Sequence, residues 1–314
     1  MALPISRLLN FSEIPVIDIA PLFGDAGRNE VIGRIDQACR DVGFFYIVGH
    51  GFDPQLITQL AKASSKFFDQ PESSKSAVGL DSSMRGYLPL YYRSQITEDF
   101  SGTSHQEGFW IGVDFTDDSR HPLEQSNRWP GNSPTLQTAM TTYLAAVEKI
   151  AATLGQAFAD ALGQPGDFYS HHFSRPTSRL KLNHYPPQEN PQSVDNIGVV
   201  PHSDSDAFTI LWQDDNGGLE VQSKSGEWVG APPLDDSFIV NIGDILQYLS
   251  NGRYSSTQHR VINRCGTDRY SIPYFVNPTA TMEISALDGS DTFTPFKYGD
   301  YQSRKWKSFF PIDG

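Results

Sequence analysis

The stretch "HSDSDAFTILWQDDNGGLEV", residues 202–221, decides how the rest of the chain is read. It opens with His202, Asp204 and Asp206 at every second position. Successive side chains of an extended strand point to opposite faces, so these three share one face. An imidazole beside carboxylates fills a core poorly, because buried charge is costly, but it grips a divalent metal well. The apolar run that follows reads as strand. Asp214-Asp215-Asn216-Gly217-Gly218 reads as a hairpin, since the twelve-residue ligand pattern of a calcium loop is missing.

Working outward, this strand is one of a series. "RLKLNHY", "FTILWQ", "GLEVQ", "EWVGA", "SFIVNIG", "RVINR" and "YSIPYFVNP" are short β-rich runs separated by turn residues, a spacing that predicts a sandwich or jelly-roll barrel. Before them, "IPVIDIA" and "FFYIVGHG" read as strands. Val31, Ile35, Ala38 and Val42 mark a helix that Gly43 ends. Asp53-Pro54 opens a second helix, running to about Phe68. Residues 70–132 read as loop-rich. A long helix starts at Ser133-Pro134 and ends at Gly163, and "KYGDYQSRKWKSFF" reads as a closing helix. The fold class expected is mixed α/β with a mainly β core. One compact unit would contain a helix-rich region over 1–177, a β core over 178–282, and a closing segment with its helix over 283–314.

The 314 residues suffice for a large core, and 38% hydrophobic with 19% charged content is ordinary for a globular protein. A net charge of −13 argues against nucleic acid or an anionic membrane as partner. It leaves room for a small anionic substrate, which needs only one or two local cations. The two cysteines, Cys39 and Cys265, lie far apart and suggest no disulfide framework. The first residues lack a signal peptide's unbroken apolar run, so a cytoplasmic protein is expected, a monomer or weak homo-oligomer.

His202 and Asp204, side by side on a strand, need a third ligand from another strand. The candidate is His259 in "NGRYSSTQHRVIN". Two histidines and one carboxylate on one side of a metal leave its other positions open, the facial triad of non-haem Fe(II) oxygenases. Ten residues on, Arg269 and Ser271 in "RYSIPYF" share a strand face, and a guanidinium beside a hydroxyl suits a carboxylate. Tyr185 in "NHYPP" could add a phenolic donor.

Taken together, "NHYPP", "HSD", "NIGDILQYLSNGRYSSTQHRV" and "RYSIPYF" resemble the isopenicillin N synthase-like family of Fe(II)/2-oxoglutarate-dependent dioxygenases. "IPVIDIA", "GFFYIVGHG" and "RGYLPL" follow the same family pattern, so the resemblance spans nearly the whole chain. It implies a double-stranded β-helix, a jelly-roll relative, with N-terminal helices. It implies Fe(II) on His202, Asp204 and His259, and 2-oxoglutarate held through its distal carboxylate by Arg269 and Ser271, with Tyr185 and Asn183 as further contacts. Asp204 is the ligand because the family motif is His-x-Asp. Asp206 departs from a position usually small in the family. It could take a cationic substrate group, accept a hydrogen bond behind the metal, or turn to solvent at a strand end.

The activity implied is oxidation of an unactivated C–H bond of a small metabolite with O2, releasing succinate and CO2. The outcome would be hydroxylation, or else desaturation, cyclisation or ring expansion. An oxidase of the same family that does without 2-oxoglutarate is the alternative. A Zn-dependent hydrolase would have no use for the Arg/Ser clamp, and a non-catalytic barrel would be expected to lose a ligand. Arg85, Lys181, Asp206, Phe208, Phe275, Phe109 and Trp110 are the candidates for a substrate pocket. Lys181 shares strand parity with Asn183 and Tyr185, and facing inward it would require an anionic partner. The other histidines, His50, His105, His121, His171, His172 and His184, read as structural or surface residues.

Overall fold

The computed structural model describes residues 14–309, apart from residues 25, 91–92, 98–99, 117–120, 132 and 189–196. The N-terminal half contains strands β1 (Val16–Asp18), β2 (Phe44–Val48), β3 (Gly86–Leu88), β4 (Arg93–Thr97), β5 (Phe100–Thr103) and β6 (Glu107–Gly112). Helices α1 (Arg28–Asp41), α2 (Pro54–Phe68), α3 (Glu72–Ser76), α4 (Pro134–Ala161) and α5 (Phe168–His172) accompany them. The remaining strands are β7 (Arg179–Tyr185), β8 (Val199–His202), β9 (Phe208–Gln213), β10 (Leu219–Gln222), β11 (Trp228–Gly230), β12 (Phe238–Ile242), β13 (His259–Val261), β14 (Arg269–Val276), β15 (Glu283–Ile284) and β16 (Phe296–Lys297). Helix α6 (Asp244–Leu249) follows β12, and α7 (Tyr298–Phe309) closes the described chain.

Local chemistry sets the helix ends. Asp53 caps α2 by accepting a hydrogen bond from the Gln55 amide, with Pro54 in the first turn. Gly43 ends α1 at φ 71°, where its amide bonds the Ala38 carbonyl, and a Cβ there would sit 2.0 Å from the Ser255 carbonyl oxygen. Helix α4, 28 residues long, buries Leu136, Met140, Val147, Leu154 and Phe158 and packs against α1 and α2. Among the described residues no helix is long and apolar enough to cross a membrane.

Two sheets form the barrel. The larger runs β1-β2-β12-β9-β14-β7-β6-β3 and the smaller β11-β10-β13-β8. Their pairings are antiparallel except β1 with β2. Phe44, Tyr46, Tyr185 and Ile239 of the large sheet pack on Leu219, Val221 and Val261 of the small one, filling the space between them. The other face of the large sheet carries Phe45, Ile47, Phe109, Leu180, Leu182, Ile210, Val240 and Tyr274, which join the α1, α2 and α4 side chains in the main core.

Residues 70–132 differ from the loop-rich expectation. Strands β3 and β6 extend the large sheet beyond β7, and β4 pairs with β5 as a hairpin. Every residue of β6 and β7 is buried, because this sheet is covered on both faces. A doubly covered strand shows no polar–apolar alternation, and the Gly-rich flanks of "EGFWIG" hid it further.

Candidate active site

His202 ends β8 and His259 begins β13, and the two are direct partners across the small sheet. Asp204 lies just past the strand, with its Oδ1 3.6 Å from His202 Nε2 and 3.7 Å from His259 Nε2. One ligand atom from each of the three falls within 4.8 Å of the others. Each imidazole is oriented from behind: His202 Nδ1 lies 2.9 Å from the Val200 carbonyl and His259 Nδ1 3.2 Å from that of Thr257. A carbonyl only accepts, so Nδ1 carries the proton and the Nε2 lone pair faces the cluster. Burial, reinforced by His202, pulls His259 down to about 4, so it is neutral near pH 7. Burial works against ionising the Asp204 carboxyl, while positive charge brought to the His259 and His202 side and the Thr209 hydrogen bond favour it, and the balance lowers the group and keeps it ionised.

The second oxygen of Asp204 is tethered. Thr209 Oγ1 lies 2.6 Å and Asn241 Nδ2 2.7 Å from Oδ2. Thr209 and Asn241 are register partners on β9 and β12, so the sheet delivers both donors together. Only Oδ1 is then left for a metal.

Asp206 is 2% exposed and does not turn to solvent. Its Oδ2 is 2.7 Å from Thr209 Oγ1. A hydroxyl has one hydrogen, which Thr209 gives to Asp204, so the proton in the second bond belongs to Asp206. Burial and the Asp204 charge push the Asp206 carboxyl well above its ordinary range, in agreement with that count. Gly243 allows the close packing behind it: a Cβ there would meet Asp206 Oδ1 at 2.1 Å and its carbonyl oxygen at 2.2 Å.

Further along the barrel, Arg269 and Ser271 of β14 stand opposite Tyr185 and Asn183 of β7. Arg269 is buried, donates through Nε to the Gly217 carbonyl and through Nη2 to Gln213 Oε1 at 3.1 Å, and lies 4.7 Å from the Tyr185 ring centre. Its Nη1 is buried without a partner, as is Asn183 Oδ1, while Asn183 Nδ2 donates to Ser271 Oγ at 3.2 Å. None of the ion pairs among the described residues includes Arg269. Burial raises the Tyr185 hydroxyl, against the opposing pull of Arg269 and Ser271 beside it. A buried guanidinium with only neutral partners and an idle N–H is made to receive a carboxylate.

A cavity of about 150 Å³ opens over the histidine–aspartate cluster. His202, Asp204, Asp206, Lys181, Trp110 and Phe275 line it, the last two stacked at 5.4 Å and 19°. Three expected pocket residues lie elsewhere. Arg85 is fully buried and spends its guanidinium on Asn127 Oδ1 and the carbonyls of Ser83, Leu123 and Val113, with burial lowering it to about 10. Phe208 packs on Phe158 of α4, because Thr209 beside it takes the inward position. Phe109 packs on Phe67, facing the helices as its neighbour Trp110 faces the cavity. The wall also includes Gln106, Arg179, Asn277, Gln302 and Trp306, which sequence reasoning missed. Arg179 was within reach, being next on the Tyr185-Asn183-Lys181 parity. Gln302 and Trp306 reach the cavity only through the docking of α7, which no local pattern reveals.

Residues 176–278 match the family described as the 2OG-Fe(II) oxygenase superfamily, and residues 14–132 match the N-terminal region of non-haem dioxygenases in morphine synthesis. The chain is 32% identical over 322 residues to homoarginine-6-hydroxylase 2-ODD-C23 of Glycine max, covering 94% of this chain and 97% of that protein. The chain belongs to the 2OG-Fe(II) oxygenase superfamily. It is also 34% identical over 302 residues to the 2-oxoglutarate-dependent dioxygenase citB of Monascus ruber, covering 91% of each. Among solved structures, JOX2 in complex with 2OG, Fe and JA superposes with a TM-score of 0.80 at 28% identity, over 98% of this chain and 88% of that one. A full-length Neurospora crassa protein, solved in complex with alpha-KG and thymine, shares the fold with a TM-score of 0.85 at 24% identity, over 96% and 99%. As a member of this superfamily the protein is an oxidoreductase that uses Fe(II), 2-oxoglutarate and O2, and its barrel is the jelly roll expected from the strand pattern.

Proposed function

We propose that the protein oxidises a C–H bond of a small metabolite at a metal held by His202, Asp204 and His259, with 2-oxoglutarate gripped by Arg269 and Ser271 and supported by Tyr185 and Asn183. The observation that carries this reading is the idle, buried Nη1 of Arg269 on the same barrel interior as three converged metal-ligating atoms. Both halves fit their ligands: two imidazoles presenting Nε2 and one tethered carboxylate suit a divalent iron with open positions, and the cation without a counter-charge suits the distal carboxylate. When bound, iron with 2-oxoglutarate and O2 supplies the oxidising power, and succinate and CO2 leave.

The protein's own work is placement. Thr209 and Asn241 keep Asp204 presenting one oxygen, and the Val200 and Thr257 carbonyls keep both imidazoles aimed. Trp110 and Phe275 wall the reaction space with apolar surface that excludes water. The small molecules in two solved relatives, thymine in the Neurospora crassa protein and JA in JOX2, support a metabolite as substrate.

The test is anaerobic titration of the Fe(II)-loaded protein with 2-oxoglutarate, following the visible band of the chelate. Saturation near one equivalent is expected, with the band lost in Arg269→Ala at the same concentration. Bound Fe(II) without a band, or a band that Arg269→Ala leaves untouched, refutes the assignment.

A further inference from the structure

The inward face of β7 carries Tyr185, Asn183, Lys181 and Arg179 at alternate positions, all four buried. Tyr185 and Asn183 pair with Arg269 and Ser271 of β14, whereas Lys181 pairs with Trp110 of β6 and Arg179 with Phe275 of β14. One strand face thus passes from the anion cradle directly into the cavity.

The cavity end of that face is cationic, and none of its cations is in contact with a carboxylate among the described residues. Lys181 makes one long hydrogen bond, 3.4 Å to Gln106 Oε1, and its ammonium lies 4.9 Å from the Trp110 ring centre. Behind it, the fully buried Arg179 spends its Nη groups on the carbonyls of Thr177, Ser178, Ser83 and Leu123, and its Nε has no partner. Arg85 is its buried neighbour and adds to the positive field, which Asp81 offsets in part. None of the ion pairs among the described residues includes Lys181, Arg179 or Arg85. The one carboxylate acting on Lys181 is Asp204, which the metal requires. Burial holds the lysine down to about 7, the direction expected of a cation without a counter-charge. Burying such a group is costly unless a charge arrives to pair with it.

Resting on the function proposed above, we infer that the substrate carries a carboxylate, received by the Lys181 ammonium and the Gln106 amide, with its apolar body against Trp110 and Phe275. One ammonium and one amide match a planar monoanion better than a dianionic phosphate, which demands more donors. A cavity of about 150 Å³ is the size that takes a benzene-like ring. The stacked Trp110–Phe275 wall offers such a ring a flat apolar surface. A body anchored on Lys181 at one end presents its other end to the His202–Asp204 side of the same cavity.

The experiment is anaerobic calorimetry of the Fe(II)- and 2-oxoglutarate-loaded protein with benzoate, phenylacetate, 3-phenylpropionate and hexanoate, each beside its primary amide. At least one carboxylate is expected to bind ten or more times tighter than its amide. In Lys181→Met, which keeps most of the aliphatic stem and removes the ammonium, that preference falls to threefold or less while the 2-oxoglutarate band persists. If no carboxylate is preferred over its amide in the wild type, the inference is overturned. A preference that survives Lys181→Met but vanishes in Arg269→Ala also overturns it, because the probes then occupy the co-substrate cradle. The two readings fail separately: an absent chelate band in the Fe(II)-loaded protein counts against the 2-oxoglutarate assignment, whereas the Lys181-dependent preference, repeated on metal-free protein, alone decides the substrate class.

Discussion

Replacing Asn241 with alanine isolates what would leave Asp204 one free oxygen for the proposed metal. The amide lies 2.7 Å from Asp204 Oδ2, is itself buried, and shares that oxygen with Thr209 Oγ1 at 2.6 Å. A hydrogen bond to a charged acceptor contributes about 1.5–3 kcal/mol, and groups behind a metal ligand typically account for about 10–100-fold in metal affinity. Asn241→Ala should therefore weaken Fe(II) binding by about 10- to 100-fold, since the carboxylate loses half its tether and can rotate. Thr209→Val should fall in the same range. The double variant should depart from simple addition, because both donors serve one oxygen. Anaerobic competition against a chromophoric Fe(II) chelator gives the dissociation constants, with circular dichroism checking that each variant is folded. A folded Asn241→Ala protein that binds Fe(II) within twofold of wild type would show that Oδ2 is not the tethered oxygen.

Asp206→Asn replaces a protonated carboxyl with an amide that still donates to Thr209 Oγ1, so Fe(II) affinity should stay within about threefold; a loss beyond tenfold would mean that Asp206 is ionised. Glu107 is buried against Lys75 at 2.6 Å, His184 at 2.7 Å and Tyr87 at 2.5 Å, tying α3 and β3 to β6 and β7. Glu107→Gln strands buried cations, costing about 3–5 kcal/mol and, at about 2.1 cal/mol/K per residue, lowering Tm by about 5–8 °C in a thermal melt. The pH dependence has two edges. Burial opposes both charges of that pair, but their hydrogen bonds prevail, leaving Glu107 lowered from 4.5 and His184 raised from 6.5. The Glu107 contribution is present above about pH 4.5 and lost as pH falls through its lower native value, whereas that of His184 is full below about pH 6.5 and lost as pH rises through its higher native value. The Tm difference between wild type and His184→Gln should accordingly be largest near about pH 5–6 and shrink toward about pH 9; a difference constant across that range would refute the assignment.

Much of the site was legible because strand parity is a local property. His202 with Asp204, Arg269 with Ser271, and Asn183 with Tyr185 each sit two apart on or beside a strand, so each pair had to share a face whatever the rest of the chain did. The same parity carried Lys181 into the cavity and Arg179 with it. The aromatic candidates divided for the same reason: neighbours alternate, so of Phe109 and Trp110 only one could face the cavity. Nothing in their composition said which. Arg85, a pocket candidate from the sequence, stays out of the cavity because Asn127 and backbone carbonyls satisfy it in full burial. His184, expected to be structural or surface, is structural, held between the buried Glu107 and the exposed Asp268.

The sequence by itself determined the strand series, the helix ends at Asp53 and Gly43, the ligand spacing and the family. These depend on the pleat, on caps and on residues close along the chain. Only the tertiary structure decided that β6 belongs to the large sheet, that α7 brings Gln302 and Trp306 to the cavity, and that Asp206 acts through Thr209. The reason is physical. A sheet buried on both faces has no polar side to mark its orientation. A helix docked from the end of the chain leaves no local trace, and the proton on Asp206 depends on a charge and a burial that only the folded barrel creates.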